Sequence, residues 1–282
     1  MKTILITGAS GQLGLALHKA LFMEYVVKLD HSQLDVTDGE RAGLFVATEL
    51  AEVVINCAAL TDTSACESDP EKAMLVNATG ARNIASACSD MGATMVQIST
   101  NEVFDGEKRL LYDEDDAPNP INAYGRSKLA GEEAVRGTIT EHFIVRTSWL
   151  YGPGRASFPE KIVKAAREQG SLRLVTDEVA SPTWTTDLAE AIARLIETDA
   201  YGTYHLTNAG ACSRKEWAEE VLRLAGFDVP LEATTQAEFG APVRKPVNST
   251  LANNRAAALG ITLRPWQEAL RDHIRIWVGA NA

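Results

Sequence analysis

Short, solidly apolar runs alternate with longer amphipathic stretches through the first half of the chain. Ile4-Leu5-Ile6, Val26 to Asp30, Val53-Val54-Ile55-Asn56, Thr94 to Ile98 and Phe143 to Arg146 have the length and β-branched content of strands. Between them, Gly11 to Met23 carries Leu13, Leu17 and Leu21 at helical spacing, and Leu44 to Leu50 closes a second helix. Asp69-Pro70 opens a long helix with Pro near its first turn, on which Ala73, Val76, Gly80, Ile84, Ala87 and Met91 share a face; Tyr124 to Arg136 supplies another helix. Strands that are apolar throughout, rather than alternating, are those buried on both faces. Helices between successive strands imply right-handed crossovers and a parallel sheet. The pattern predicts an α/β fold with a doubly wound sheet.

After about Thr147 the rhythm loosens. Helical stretches at Pro159 to Gln169, Thr186 to Glu197, Arg214 to Ala225 and Pro265 to Val278 are separated by segments rich in Pro, Gly and Thr, and Tyr204-His205-Leu206 can return to the sheet as a strand. The expected organisation is a sheet domain over residues 1–150 with about 185–208 added, and a smaller, mostly helical lobe from 151–184 and 209–282 that covers its carboxyl edge and binds substrate. No internal repeat or low-complexity tract is visible.

Composition narrows the partners. The chain has 282 residues and a formal net charge of −11, which offers no overall attraction to a phosphate backbone, so nucleic acid is not expected as a partner. No run reaches the ~20 apolar residues of a membrane span, and Met1-Lys2 leads directly into the first strand without a signal-peptide pattern; a cytoplasmic protein is expected. Cys57, Cys66, Cys88 and Cys212 form no CxxC pair, as for buried free thiols in a reducing compartment.

Gly8, Gly11 and Gly14 make a GxxGxxG between the first strand and the first helix. Glycine permits the tight turn and the close approach of backbone to a pyrophosphate, which the following helix N-terminus can hold. Asp30 ends the next strand, 22 residues after Gly8, where a carboxylate can accept from a ribose hydroxyl. Together these mark the loop Gly8, Ser10, Gly11, Gln12, Leu13, Gly14 as a dinucleotide site in a Rossmann-type sheet. Asp30, followed by His31-Ser32 rather than an arginine, favours NADH without excluding NADPH. Asp35 and Val36 can hold an adenine edge, and a capping role fits Asp35 and Asp38 equally well.

Tyr124 and Lys128 stand four apart on a helix and hence on one face. A carbonyl reductase needs such a pair: a neighbouring cation favours the phenolate, and the tyrosine can give a proton to the alkoxide forming as hydride arrives. Ser99-Thr100 ends a strand on the same edge as the glycine loop, where Thr100 can donate to the carbonyl oxygen.

The glycine motif, Asn56-Cys57-Ala58-Ala59, the Ser-Thr strand end, the YxxxK helix and Arg146-Thr147-Ser148-Trp149 occur in the order of the extended short-chain dehydrogenases. Within that group the chain resembles the dTDP-4-dehydrorhamnose reductase family, also through Ala180-Ser181-Pro182-Thr183-Trp184, Tyr204-His205-Leu206, Arg244-Lys245-Pro246-Val247-Asn248-Ser249 and Pro265-Trp266. The resemblance spans nearly the whole chain. It implies hydride transfer from NADPH or NADH to the C4 ketone of a dTDP-6-deoxy-4-keto-hexose, with dTDP-L-rhamnose as product. Thr100, Tyr124 and Lys128 would be the catalytic triad. Cys57, Ala58, Ala59, Thr61 and Ser99 would line the cofactor, and Lys128 its nicotinamide ribose. Thr61, Asn101, Glu102 and Trp149 would meet the sugar, with Arg244 near the nucleotide diphosphate.

Three departures from that family matter. Ser99-Thr100-Asn101-Glu102-Val103-Phe104 stands where many members have Ser-Thr-Asp-Tyr-Val-Phe, and Ser64 stands where many carry Asp. Some relatives dimerise through a magnesium held partly by an acid on the first helix; Leu15-Ala16-Leu17 offers none, so no structural metal is expected, and a monomer or a dimer without a metal bridge is. Three rivals compete. A 4,6-dehydratase would need an acid where Asn101 has an amide, and a 4-epimerase would share Thr100, Tyr124 and Lys128. A non-catalytic regulatory subunit would keep cofactor binding without turnover. The acidic segment Asp113-Glu114-Asp115-Asp116 reads as a solvated loop rather than a metal site.

Overall fold

The computed structural model describes residues 1–281. Six parallel strands form the main sheet: β1 (Thr3–Thr7), β2 (Tyr25–Leu29), β3 (Val53–Asn56), β4 (Thr94–Thr100), β5 (His142–Thr147) and β6 (Gly202–His205). Their spatial order is β6-β5-β4-β3-β1-β2. The chain runs outward from β1 to β2, then crosses back to β3 and proceeds the other way. The order therefore reverses between β1 and β3, which opens a crevice beyond their carboxyl ends.

Alternation along each strand divides the core. Ile4, Ile6, Val53, Ile55, Val96, Ile98, Phe143 and Val145 face α1 (Gln12–Ala20) and the later helix Thr185–Leu195. Leu5, Val54, Met95 and Ile144 face the opposite layer, built by α2 (Gly39–Thr48), α3 (Gly80–Met91) and α4 (Ala123–Arg136). A third core joins Tyr151, Ile162, Trp184, Trp217, Trp266 and Ile274. It is held by helices Phe158–Gln169, Arg214–Ala225 and Trp266–Asn281.

Several expectations need correction. β2 is an edge strand with Tyr25 and Lys28 exposed, not buried on both faces. α2 ends at Thr48, and Leu50 lies beyond it at φ +51, exposed. Met91 is exposed at the end of α3, outside the buried face it was grouped with. The long helix from Pro70 is not uniform: Pro70–Met74 passes through a π-helical turn, Leu75–Thr79, into α3. Ala256 and Ile261, expected in the lobe, pack in the sheet core, and Leu251 packs against Val103, Phe104 and Tyr112. The acidic loop is not simply solvated. Glu114 is buried and accepts from the backbone N–H groups of His205 (3.3 Å) and Arg255 (3.1 Å), while Lys108 pairs with Asp116.

Among the described residues no helix is long and apolar enough to cross a membrane. None of their His, Cys, Asp and Glu side chains form a group of three or more able to hold a metal ion.

Candidate active site

The crevice floor is backbone. Gly8 adopts φ +62, and a Cβ there would lie 2.8 Å from the Ala58 amide nitrogen, so the loops after β1 and β3 meet at a distance only glycine allows. At Gly14 a Cβ would lie 2.6 Å from Ala9 Cα, which fixes α1 against the loop that precedes it. Gly11 is the N-cap of α1, with no side-chain cap and no acid in the first turn. The leading N–H groups are thus left for an anion, and the fit to a dinucleotide pyrophosphate is good. Ser10 and Gly11 are exposed and Leu13 is buried. Gln12 reaches across to the Gly152 and Arg155 carbonyls at 3.1 and 3.0 Å, tying the loop to the segment after β5.

Asp30 follows β2 beside this floor. Its Oδ1 accepts from the Ser32 hydroxyl at 2.6 Å and from the backbone N–H of Ser32 and Gln33; these bonds, the Ser32 hydroxyl foremost, hold its pKa below the ordinary carboxylate value. Asp35 caps a turn through Thr37 and Asp38 caps α2, so the capping alternative describes both side chains. Val36 is core, within van der Waals reach of Gly80. Cys57, Ala58 and Ala59 line the crevice half-buried and Thr61 is exposed. Burial pushes the Cys57 thiol up to about 12, so it is no nucleophile at neutral pH.

Across from this floor, α4 is laid on the end of β4. Asn122 caps the helix, accepting from Gly125 N–H at 2.8 Å, and Gly125 is required because a Cβ would fall 2.1 Å from the Glu102 carbonyl. Asn77, in the π-turn, accepts from Leu60 N–H and donates to the Leu60 carbonyl and to Ser127, joining the loop after β3 to α4. Lys128 is buried and donates to the Ile98 carbonyl at 2.6 Å. Desolvation brings its pKa down to about 8, against the pull of Glu132. Burial, and then the Glu102 charge, raises the Tyr124 phenol well above its ordinary value, and only the Thr100 hydroxyl pulls the other way. The expected lowering by Lys128 is not what governs this phenol, because in a dry site the cost of a bare phenolate dominates.

Thr100 accepts from Glu102 N–H and donates to Asn101 Oδ1, both at 3.2 Å. Ser99, expected beside the cofactor, turns its hydroxyl inward to Glu132 at 2.6 Å. Asn101, buried, donates to Ser249 at 2.6 Å. Glu102, expected to face the sugar, is engaged by Lys245 at 2.8 and 3.0 Å and by Asn122 at 2.7 Å. Arg244 is exposed, and its carbonyl accepts from Asn122.

Trp149, just past β5, adopts φ +44, an outlying conformation for a bulky residue. Its half-buried ring stacks on Trp217 at 5.5 Å, and the Arg214 guanidinium lies 3.6 Å from its centroid, itself held by Glu178. Residues overlooked in the sequence are Asn122, Glu132, Arg214 and Lys245. Of these, Glu132 carried a signal, standing one turn beyond Lys128 on the same face.

Sheet order, glycine floor and a tyrosine–lysine helix on the end of β4 define an NAD(P)-dependent oxidoreductase of the short-chain type. Comparison with known proteins specifies it further. Residues 1–277 match the family model described as RmlD substrate binding domain. The chain is 37% identical to the spore coat polysaccharide biosynthesis protein SpsK of Bacillus subtilis, over 98% of each chain. It is similar to a dTDP-4-dehydrorhamnose reductase structure from Clostridium acetobutylicum, at 39% identity and a TM-score of 0.94, covering 98% of this chain and 99% of the other. A dTDP-4-dehydrorhamnose reductase from Bacillus anthracis in complex with NADP gives 37% identity and a TM-score of 0.94, over 96% of this chain and 98% of the other. The chain belongs to the RmlD family of NAD(P)-dependent dTDP-4-keto-sugar reductases.

Proposed function

We propose that this reductase acts on the C4 ketone of dTDP-6-deoxy-L-lyxo-4-hexulose, giving dTDP-L-rhamnose, with Thr100, Tyr124 and Lys128 as its catalytic residues. The observation that carries this is the grip of α4 on the end of β4, which sets Tyr124 beside Thr100 and buries Lys128 against Ile98 at the edge where the glycine floor opens. Reduced nicotinamide, when bound, supplies the hydride to C4. Thr100, turning its hydroxyl from Asn101, donates a hydrogen bond to the ketone oxygen, and the Tyr124 O–H gives its proton to that oxygen as the C4–H bond forms. Lys128, kept cationic, stabilises the phenolate left behind until solvent returns the proton.

Gly8, Ser10, Gly11, Gln12, Leu13 and Gly14 would hold the pyrophosphate, Asp30 a ribose, and Asp35 and Val36 the adenine side. Cys57, Ala58, Ala59, Thr61 and the Ser99 backbone would line the remainder. Trp149 would flank the sugar, and exposed Arg244 would meet the diphosphate. Glu102 is committed to Lys245 and Asn122, which argues against its serving as the base of a 4,6-dehydratase. The relatives' names, a spore coat polysaccharide protein and dTDP-4-dehydrorhamnose reductases, support a nucleotide sugar destined for a surface polysaccharide.

The test follows loss of reduced-nicotinamide absorbance with this ketone, with NADH and NADPH in parallel. Tyr124→Phe should lose about 10²–10⁴-fold in rate while retaining cofactor affinity. Tight cofactor binding with no turnover of this ketone, or of other dTDP-4-keto sugars, would transfer support to a regulatory subunit.

A further inference from the structure

Tyr124, Lys128, Glu132 and Arg136 follow one another at intervals of four along α4 and so form a single stripe. Three consecutive residues of β4 meet that stripe. Ile98 gives its carbonyl to Lys128 at 2.6 Å, Ser99 donates its hydroxyl to Glu132 at 2.6 Å, and Thr100 lies against Tyr124. Glu132 is fully buried and gathers four donors: Ser99, the Nε and Nη2 of Arg146 on β5 at 2.9 and 2.7 Å, and Arg136 at 2.7 Å. Arg136 is the outermost of these, partly exposed, and also reaches Thr203 on β6 at 3.3 Å.

A carboxylate this deep is ionised because of its partners: against the cost of burial, the Arg146 hydrogen bonds hold its pKa low. We propose that Glu132 is the positioning residue of the active site, fixing the end of β4 through Ser99 and setting a negative charge one helical turn from the Lys128 ammonium. The other groups facing Lys128 do not supply a countercharge at neutral pH. Cys57 and Cys66, from the segments after β3, are thiols raised by burial, and Ile98 offers only a carbonyl. His205 on β6, facing the Glu132–Arg146 pair, is held neutral by burial with its pKa at about 3. The balance at Lys128 is thus between desolvation and one carboxylate, and the carboxylate is in turn shared with two arginines.

This role presupposes Tyr124 and Lys128 as the catalytic pair, so the experiment separates the two. The ketone-reduction rate is measured against pH, together with the pH dependence of NAD(P)H affinity by nicotinamide fluorescence. The wild-type rate should fall as pH rises through about 8, where Lys128 loses its proton. In Glu132→Gln the fall should move about one pH unit lower. Arg136→Gln, a change at the rim that leaves Glu132 less neutralised, should move it higher, and Arg136→Lys should restore it. A purely structural role for Glu132 would not displace the limb in opposite senses. Should Glu132→Gln fail to fold, the Arg136 pair decides alone. Limbs that coincide, while Lys128→Met is inactive, overturn the role of Glu132 and leave the catalytic pair standing. An active Lys128→Met overturns both.

Discussion

Along the crevice floor the protein presents backbone, and along the wall that faces it side chains paired across distant parts of the chain. The floor is Gly8, Gly11, Gly14 and the Ala58 backbone; at Gly8 and Gly14 the distances forbid a Cβ, and nothing has to be brought in from afar except the second loop. The wall is Glu102 with Lys245, Asn101 with Ser249, and Trp149 with Arg214 and Trp217. A floor of this kind is rigid and leaves no room for a side chain at Gly8 or Gly14. A wall of this kind can be rebuilt one pair at a time.

The sharpest test of that contrast is Gly8→Ala. The methyl group would have to occupy a left-handed conformation and a position 2.8 Å from the Ala58 amide nitrogen. Displacing the two loops should weaken NAD(P)H binding about 100-fold, or ~2.7 kcal/mol by the affinity relation, as read by fluorescence titration. Cofactor affinity within a few-fold of wild type would mean that the loops yield, and the floor would lose its claim to rigidity.

The same contrast explains what the sequence disclosed. The glycine triplet, the strand end at Asp30 and the Tyr124–Lys128 spacing stand out in the sequence because each is a local constraint, imposed by a turn or a single helix face. The five leading strands were legible because burial on both faces leaves an apolar run, and even β2, an edge, kept Val26 and Val27. The ion pair of Glu102 left no mark because its partner lies 143 residues away and a lone glutamate carries no sign of where its countercharge will fold. The direction of the Ser99 hydroxyl was hidden for a related reason: a strand-end serine faces either the crevice or the helix beneath, and only Glu132 at 2.6 Å decides. The π-turn at Leu75–Thr79 left no mark in the hydrophobic spacing, and the bonds of its Asn77 to Leu60 and Ser127 are made to residues far along the chain.

On the wall, Lys245→Met should give the next largest effect. Glu102 would keep Asn122 but lose its cation, and a half-exposed lobe segment would be freed from the end of β4. The Michaelis constant for the keto sugar should rise about 10-fold, the size of ~1.4 kcal/mol, with cofactor affinity unchanged; Lys245→Arg should recover it. A parallel loss of cofactor affinity would show that wall and floor are one mechanical unit and not two.

The smallest expected effect belongs to Arg214→Ala. Its guanidinium contributes a cation–π contact at 3.6 Å to a tryptophan whose backbone sits in an unfavourable region, and such contacts are worth about 0.5–1 kcal/mol when partly exposed. Removing it should loosen the Trp149 ring rather than unfold the lobe, because Trp217 and Phe158 still stack at 4.4 Å behind it. The Michaelis constant for the keto sugar should rise roughly 3-fold, with Trp149 fluorescence altered and the maximal rate nearly kept. Glu178→Gln, which leaves Arg214 in place but without its charged partner, should produce a fraction of that change. If Arg214→Ala instead lowers the maximal rate and spares the Michaelis constant, the ring acts on the reacting carbon and not on sugar binding. The wall would then share in the chemistry that the floor and α4 have been assigned.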